Sequence, residues 1–402
     1  MSNYRFMKIL LGIDKIYGGG GIGSCARDFI KIFSKEHQIA VVASDVPTDM
    51  LGWSQKTGDF SIKSSKTFLK KIDEFQPDLI INNSYSNLAI IAPFLKQKYK
   101  IISICHSAEN TINEIDSLFN FKALNATIAL SHIMKNNILE RFSHNSTNPK
   151  ISVIYNTLPR GENLIEHENN AIVFPGKCDV AKAPSRVIKI LKMLLKTNLD
   201  FKFYWIGDTE IPVSRILGSK AVKDYFNDSR VVFCGRLPRE EAIKRIQQSS
   251  IFLLPSYFEG CPVTLIEGIA NGVVPIVSDD PHASMEIVQN EETGFVIKRD
   301  NIKGYAETII LLLKNSEKLR QLSQNIYNDF DSKFSKEQWV LKMNQTFKLA
   351  QNENSIRKNW NNIDYCLNVF KYKILRLKCQ YLLMFRSIRE RFRILKALNE
   401  SK

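Results

Sequence analysis

The sequence lacks both a membrane-spanning segment and a cysteine motif. A membrane-spanning helix needs about 20 consecutive apolar residues, and no stretch of the 402 residues approaches that length. The seven cysteines are odd in number and include no Cys-x-x-Cys pair, so we expect reduced thiols that mostly fill the core. A strand-like segment, Met7–Leu11, follows the first few residues directly. We therefore expect no signal peptide and a cytoplasmic protein.

Acidic residues are fewer than basic ones, and the imbalance is concentrated in the last part of the chain. The net charge is +15. Residues 356–402 carry twelve lysines and arginines against three acidic residues, which accounts for nine of those charges. The main body is therefore only mildly basic, and its composition is that of a soluble globular protein. A chain of this length can form two α/β domains.

Short apolar runs alternate with amphipathic segments along most of the chain. Buried apolar strands that alternate with helices are typical of a parallel sheet in a doubly wound α/β domain. The strands predicted in the first half are 8–13, 38–43, 78–81, 101–104, 126–130 and 151–155. Those predicted in the second half are 171–174, 201–206, 231–234, 251–254, 274–277 and 294–297.

A polar stretch, residues 161–170, separates the two series of strands and predicts an interdomain linker. We expect one Rossmann-like domain over 1–160 and a second over 171–332. A helix over 333–354 would return toward the first domain, and a basic tail would cover 355–402. Two such domains facing each other across a cleft would offer a ligand site at the carboxyl ends of their strands.

Residues 255–268 are the most informative segment of the chain. An apolar run, 250–254, ends in a proline-containing turn, and a helix is predicted to open at about Pro262. The first amide groups of that helix have no partner within it and point outward, where an anion such as phosphate binds well. These amides belong to Val263, Thr264 and Leu265.

Two carboxylates, Glu259 and Glu267, bracket this anion site. Each carboxylate can accept hydrogen bonds from sugar hydroxyls. An anion site between two such acids suits a ligand with phosphates in the middle and sugars at both ends. The segment therefore predicts binding of a nucleotide-sugar.

A glycine-rich loop over Tyr17–Gly23 supports a competing hypothesis. Gly18, Gly20 and Gly23 have the G-x-G-x-x-G spacing of dinucleotide-binding loops, and Asp45 stands after the second predicted strand, where a ribose-binding acid is expected. This loop alone is equally consistent with a nicotinamide- or flavin-dependent oxidoreductase. The second half of the chain favours the nucleotide-sugar hypothesis.

From Lys8 to about residue 350 the sequence resembles the family 4 glycosyltransferases, whose fold is the two-domain GT-B fold. The strongest element is the E-x7-E signature over Glu259–Glu267. Other matching segments are Gly20–Gly23, Ser131, Asn156, Gly272–Pro275 and Glu292–Phe295. Thr157 replaces the glycine that usually follows the asparagine.

The resemblance implies roles for individual residues. Glu267 would bind the ribose hydroxyls of the donor, and Glu259 would bind the transferred sugar. His106 ends a predicted strand where the family often has a histidine that reaches the sugar. His132, His282 and Glu286 are weaker candidates, and the turn 279–282 departs from the family's glycine-rich loop, so we expect it to shape donor specificity. The other implied donor contacts are Gly20, Gly21, Gly260, Pro262, Val263 and Thr264.

Lys177 and Lys182 stand where the family has an arginine and a lysine, and Ala183 replaces the following glycine. Cleavage of the sugar–phosphate bond builds negative charge on the departing diphosphate. Fixed cations beside that group stabilise the transition state more than the ground state. The resemblance therefore assigns Lys177 and Lys182, with Glu259 and His106, to catalysis.

Metal-ligating residues are not clustered in the sequence. No group of His, Cys and Asp has ligand spacing, and the one Asp-x-Asp, 329–331, follows a predicted helix far from the site. We expect no metal and no cofactor, and turnover that persists in EDTA. The family retains anomeric configuration, but no nucleophile is evident, so the stereochemical route stays open.

The basic tail is predicted to form one amphipathic helix. Its apolar stripe is Phe370, Ile374, Leu377, Tyr381, Phe385, Ile388, Phe392 and Leu395. An anionic membrane is the favoured partner. Packing on the first domain or on a second copy is the alternative. Nucleic acid is not expected, because aromatic stacking platforms and known binding modules are absent.

These features predict a metal-independent, retaining hexosyltransferase. It would act on a lipid-linked or surface-polysaccharide acceptor, as in lipopolysaccharide synthesis, at the inner face of the cell membrane. A sugar phosphorylase or a nucleotide-sugar epimerase of the same fold is the alternative. An oxidoreductase and a non-catalytic sugar-nucleotide binder also stay open.

Overall fold

Two compact units make up the protein in its computed structural model. The structure describes residues 6–17, 20–107, 111–142, 150–161, 168–210 and 222–399. The N-unit consists of Met1–Tyr155 and Val340–Leu382, and the C-unit consists of Asn156–Trp339 and Leu383–Lys402. The C-unit thus begins ahead of the predicted linker, of which residues 162–167 lie outside the described residues.

A seven-stranded parallel sheet forms the N-unit, in the order β3-β2-β1-β4-β5-β6-β7. Most of its strand residues are buried, as expected when helices cover both faces of a parallel sheet. The strands are β1 (Lys8–Gly12), β2 (Gln38–Ala43), β3 (Gly52–Ser54), β4 (Leu79–Asn82), β5 (Lys100–Cys105), β6 (Ala126–Ala129) and β7 (Lys150–Val153). The helices are α1 (Gly20–Phe33), α2 (Ile62–Phe75), α3 (Ser86–Ile91), α4 (Ile112–Leu118) and α5 (His132–Phe142).

A six-stranded parallel sheet forms the C-unit, in the order β10-β9-β8-β11-β12-β13. The strands are β8 (Glu168–Pro175), β9 (Lys202–Ile206), β10 (Val231–Gly235), β11 (Ser249–Leu254), β12 (Val274–Ser278) and β13 (Phe295–Ile297). The helices, numbered along the described residues, are α6 (Pro184–Leu195), α7 (Arg239–Gln248), α8 (Val263–Ile269), α9 (Ala283–Ile287), α10 (Ile302–Lys314) and α11 (Ser316–Phe334).

Two further helices, α12 (Lys336–Asn352) and α13 (Asn362–Asn399), each belong to both units. The chain enters the N-unit at Val340 and leaves it after Leu382. No helix among the described residues combines the length and the hydropathy that a bilayer crossing requires. The final 38-residue helix, α13, is part of both units. Its residues up to Leu382 belong to the N-unit, and the rest belong to the C-unit.

The predicted doubly wound fold is confirmed. All twelve predicted strands are present, and their ends differ from the prediction by at most three residues. Among the strands of the described residues, only β3 was missed, because it has three residues, of which Trp53 alone is a strong strand former. The predicted tail helix is also present, but its predicted apolar stripe is largely exposed. A different face packs on the N-unit, through Tyr365, Val369, Tyr372 and Cys379.

The strand order reverses beside the first strand of each sheet. In the N-unit the reversal lies between β1 and β4, and in the C-unit between β8 and β11. Ligands of open α/β sheets bind outside the carboxyl ends of the strands at such a point. The residues that follow these four strands are therefore where binding groups are expected.

Gly207 follows β9 and packs directly against the backbone that follows β8. Its φ is +129°, and an added Cβ would lie 2.9 Å from the carbonyl oxygen of Gly176 and from the amide nitrogen of Lys177. Only glycine satisfies both constraints without a backbone shift. Gly207 thus fixes the path of the segment that carries Lys177.

We predict that Gly207→Ala destabilises the protein more than Gly235→Ala. Gly235 also has a positive φ, +64°, but an added Cβ there meets nothing within 4 Å. Gly235→Ala should cost only the left-handed backbone conformation, about 1–2 kcal/mol, whereas Gly207→Ala must also displace backbone. Melting temperatures of the two variants test this, and equal losses would contradict it.

Candidate functional site

Lys182 and Glu259, predicted to contact the diphosphate and the transferred sugar of the donor, are directly paired. Lys182 ends a short 3-10 turn, Val180–Lys182, after β8, and Glu259 lies in the loop after β11. Lys182 Nζ is 2.6 Å from Glu259 Oε1, and the side chains are 21% and 10% exposed. Ser256 Oγ donates to the same carboxylate oxygen at 2.7 Å. The pair therefore spans the two strands at the reversal point of the C-unit sheet.

Backbone hydrogen bonds hold these two loops together. Asp179 Oδ1 accepts from the amides of Ala181 and Lys182, at 3.1 and 3.3 Å, and so caps the turn. The carbonyl of Ala181 accepts from the amides of Tyr257 and Phe258, at 2.9 and 3.4 Å. The positions of Lys182 and Glu259 are thus fixed by main chain as well as by charge.

Lys177 lies on the solvent side of the same turn. Its Nζ is 3.0 Å from Asp179 Oδ2, and its side chain is mostly exposed. An exposed pair of this kind contributes little to stability. Lys177 can therefore leave Asp179 for an incoming anion at small cost.

A buried ion pair that the sequence did not reveal supports the loop after β11. Arg186 Nη1 is 2.6 Å from Asp280 Oδ2, and both side chains are buried. The same Nη1 atom donates to the carbonyl of Pro255 at 2.9 Å. The guanidinium carbon lies 4.0 Å from the centre of the Tyr257 ring. Removal of either charge would break a buried ion pair, which is destabilising.

His282 also helps to hold the loop after β11 in place. His282 Nε2 is 3.2 Å from the carbonyl oxygen of Ser256, and burial lowers the pKa of His282. The imidazole is therefore neutral near pH 7 and its proton can bond that carbonyl. The expectation that this turn shapes donor specificity stays a prediction.

Arg239 is the partner of Glu267, and sequence reasoning missed it. Arg239 Nη2, at the start of α7, is 2.6 Å from Glu267 Oε1 on α8. The Glu267 side chain is only 6% exposed, whereas Arg239 is about half exposed. Burial of an unpaired carboxylate is costly, and the contact with Arg239 offsets part of that cost. The spacing of the two residues gave no signal, because the pairing depends on how α7 packs against α8.

The start of α8 offers fewer amides than predicted. Pro262 is the residue before the helix, not its first residue, and its carbonyl accepts from the amides of Leu265 and Ile266, at 3.0 and 3.2 Å. The Leu265 amide is thus not available to an anion, and that prediction was wrong. Two of the three predicted amides are left, those of Val263 and Thr264. The helix has seven residues, so the neighbouring cations must supply most of the attraction for a diphosphate.

The N-unit candidates lie at the carboxyl ends of β1 and β5. α1 begins at Gly20 and includes Gly21, while Gly18 and Gly19 lie outside the described residues. Asp45 accepts from the amides of Ile16 and Tyr17, at 2.8 and 3.3 Å, and so supports the strand-to-helix loop. That contact gives Asp45 a structural role in place of the ribose-binding role that the oxidoreductase hypothesis needs.

His106 follows β5 and bonds to a residue that follows the neighbouring strand β4. Its Nε2 is 2.5 Å from Asn83 Oδ1. Burial lowers the pKa of His106 to about 4. The imidazole is therefore neutral at pH 7. Because an amide oxygen only accepts hydrogen bonds, Nε2 carries the proton and Nδ1 is an acceptor.

The other residues of the resemblance have local structural contacts. Ser131 Oγ accepts from the amide of Met134 at 3.0 Å and caps α5. Asn156 Nδ2 donates to the carbonyl of Cys261 at 3.0 Å, next to the start of α8. His132 is exposed at the start of α5. Glu286 lies in the first turn of α9.

Comparison with solved structures defines the fold class. The chain superposes on the crystal structure of TarM from S. aureus with a TM-score of 0.70 and 12% sequence identity, covering 86% of this chain and 99% of TarM. The fold is therefore the GT-B fold of glycosyltransferases.

Comparison of sequences then gives the family. Residues 157–329, which carry Lys182, Glu259 and Glu267, match the family described as glycosyl transferases group 1. The chain is 23% identical over 320 residues to the lipopolysaccharide 1,6-galactosyltransferase of Escherichia coli K12, covering 74% of this chain and 87% of that protein. A second Escherichia coli relative, UDP-Gal:alpha-D-GlcNAc-diphosphoundecaprenol alpha-1,3-galactosyltransferase, is 25% identical over 178 residues, covering 43% and 44% of the two chains.

The protein is thus a glycosyltransferase. This result excludes the oxidoreductase and the non-catalytic binder. Assignment to family 4 within the GT-B class is consistent with it and stays a prediction, as do the individual roles of the site residues.

We predict that protonation of His106 destabilises the protein at acid pH. The unfolded imidazole takes up a proton near its ordinary pKa of 6.5, but the folded one only near pH 4. The unfolded state therefore binds more protons in this window, and stability is lost as the pH falls through it. The melting temperature of the wild type should drop more between about pH 7 and about pH 5 than that of His106→Gln. His132→Gln, at an exposed histidine, is the control and should follow the wild type. Identical pH profiles for the wild type and His106→Gln would contradict the prediction.

Proposed function

We propose that the protein transfers a hexose from a nucleotide-diphosphate sugar to a lipid-linked or surface-polysaccharide acceptor, with retention of configuration and without a metal ion. The observation that carries this proposal is the Lys182–Glu259 pair at the reversal point of the C-unit sheet. It places a fixed cation and a hydroxyl-binding carboxylate side by side. In a nucleotide-sugar the phosphate and the transferred sugar are also direct neighbours, joined through the anomeric oxygen.

Lys182 would stabilise the departing diphosphate. An ammonium group has three donors, so Lys182 can keep its bond to Glu259 and still contact a phosphate oxygen. Lys177, close to the same turn and exposed, would add a second positive charge. As the sugar–phosphate bond breaks, negative charge grows on the diphosphate, and both ammonium groups gain interaction energy in the transition state. This supplies the charge compensation that a metal ion provides in other enzymes.

Glu259 and Glu267 would hold the two sugar ends of the donor. Each carboxylate already has one cationic partner, Lys182 or Arg239, which fixes its orientation before the donor binds. A carboxylate accepts several hydrogen bonds, so each can also receive those of vicinal hydroxyls.

The acceptor would be presented at a membrane surface. The names of the two Escherichia coli relatives specify a lipopolysaccharide in one case and a diphosphoundecaprenol-linked sugar in the other. A membrane-associated acceptor requires an enzyme that can dock on the bilayer. The outer face of α13 has the composition for such docking.

That outer face combines apolar and basic side chains. Phe370, Leu377 and Tyr381 are each more than 60% exposed. Lys371, Lys373 and Lys378 are exposed on the same part of the helix. Apolar groups that enter the interface, with cations that attract anionic headgroups, are the pattern of an interfacial helix. We propose an anionic membrane as its partner and the inner face of the cell membrane as its location.

We predict that Lys182→Ala lowers the rate of nucleotide-sugar hydrolysis by roughly 10²–10³-fold, since one transition-state contact of this kind is worth that much. A panel of UDP- and GDP-sugars identifies the substrate. Lys244→Ala, which removes an exposed lysine of α7, is the control and should be fully active. Turnover should persist in EDTA. Wild-type rates in Lys182→Ala would remove this residue from the mechanism.

We predict that the full-length protein floats with anionic liposomes at low salt and does not float with neutral ones. Replacement of Phe370 and Leu377 by Asp should abolish flotation, because both side chains would enter the interface. Leu311→Asp, at an exposed leucine of α10, is the control and should float. Wild-type protein that stays at the bottom with anionic liposomes would refute the membrane proposal.

A further inference from the structure

We infer that the end of α13 holds the donor-binding loops in place, with Arg386, Glu390 and Arg393 as positioning residues. These three residues lie at i, i+4 and i+7 and therefore share one face of the helix. The inference rests on the proposed function, because it assigns them to the site that contains Lys182 and Glu259.

Two arginines of this face contact the residues that immediately precede Glu259. The guanidinium carbon of Arg386 lies 4.6 Å from the centre of the Phe258 ring. That of Arg393 lies 5.3 Å from the centre of the Tyr257 ring, and its Nη1 donates to Tyr257 Oη at 2.9 Å. A cation over an aromatic face is attracted by the ring quadrupole. The two arginines thus restrain both residues through which the chain enters the Glu259 position.

Glu390 restrains the other loop, the one that carries Lys182. The Glu390 side chain is almost fully buried, and its Oε1 accepts from the amide of Ser185 at 3.0 Å. Ser185 is in the first turn of α6, three residues after Lys182. A carboxylate at a helix N-terminus is stabilised by the helix dipole. Its other oxygen is 3.5 Å from Arg393 Nη1, so the two restraints are joined.

Tyr257 is where these contacts converge. Arg186 and Arg393 both lie against its ring. Burial, with the charge of Glu390 as a second cause, raises the pKa of Tyr257, so the phenol stays protonated. The backbone amide of Tyr257 donates to the Ala181 carbonyl. The loop before Glu259 is therefore held from the tail helix, from Arg186 and from the Lys182 turn.

The tail can exert this restraint because its end is part of the C-unit core. Ile394, Ala397 and Leu398 are buried in that core together with residues of α6. Lys192 Nζ, on α6, donates to the carbonyls of Ala397 and Leu398, at 2.5 and 2.9 Å. Along α13, the stretch proposed to bind the membrane comes first, the three positioning residues come next, and the buried end of the helix comes last.

The expected consequence is a specific loss of donor affinity. Without the restraint, the loops can still fold, but Lys182 and Glu259 are less often in the geometry that a donor needs. Displacement of binding groups by about 1 Å can cost up to about 100-fold. We expect the KM for the donor and the Kd for its nucleoside diphosphate to rise while the KM for the acceptor and the melting temperature change little.

The test compares full-length variants by calorimetric titration with UDP and GDP and by donor kinetics. The double variant Arg386→Ala/Arg393→Ala should raise the donor KM and the nucleotide Kd about tenfold. Arg389→Ala, which removes an exposed cation of the same helix, is the matched control and should leave both unchanged. Glu390→Ala should behave like the double variant, and Glu390→Gln, which keeps an oxygen for the Ser185 amide, should restore near-wild-type affinity.

The outcomes separate this inference from the proposed function. If the wild type hydrolyses a nucleotide-sugar and the double variant has the same donor KM and nucleotide Kd, the positioning role is wrong and the proposed function stands. A loss of kcat with an unchanged KM, together with a lower melting temperature, would show a merely structural role and also overturn the inference. If the wild type neither binds UDP or GDP nor hydrolyses any nucleotide-sugar, the proposed function fails, and the inference fails with it.

Discussion

The interaction on which the rest of the C-unit depends is the contact between Lys182 Nζ and Glu259 Oε1 across the reversal point of the sheet. Two loops that follow neighbouring parallel strands carry opposite charges at this point, and the two charges attract each other in a partly buried place. The surrounding polar contacts serve this geometry. Asp179 caps the turn before Lys182, and Ser256 shares the carboxylate of Glu259.

Residues far from this pair in the sequence also hold it in place. Arg186 and Asp280 form a buried ion pair beneath the loop after β11. The end of α13 adds contacts from more than 120 residues beyond Glu259, through Arg393 and Tyr257. Such long-range restraint has a physical reason. A site that stabilises developing charge works best when its dipoles and charges are fixed before the substrate arrives.

The sequence predicted the elements of the fold because buried parallel strands have an unmistakable apolar signature. Glu259 and Glu267 were picked out as candidates by a local motif and Lys182 by the resemblance, and the roles of all three stay predictions. Arg186, Arg239 and Glu390 could not be predicted, since each acts through a partner that only the packing of helices brings near. The Leu265 amide was assigned wrongly because the carbonyl of Pro262 accepts its hydrogen bond, a detail of helix-start geometry that residue types do not reveal.

The spacing of apolar residues predicted the apolar stripe of α13. It did not predict that the stripe is exposed and that a different face packs on the N-unit. Both faces contain apolar residues, and periodicity alone does not say which one is covered.

The central claim, a diphosphate bound at the Lys182 turn, is tested most directly by a crystal structure with bound UDP or GDP. We predict that a phosphate oxygen lies within hydrogen-bonding distance of Lys182 Nζ. A nucleotide bound only against Gly20–Gly23, with no contact to the C-unit, would contradict the account.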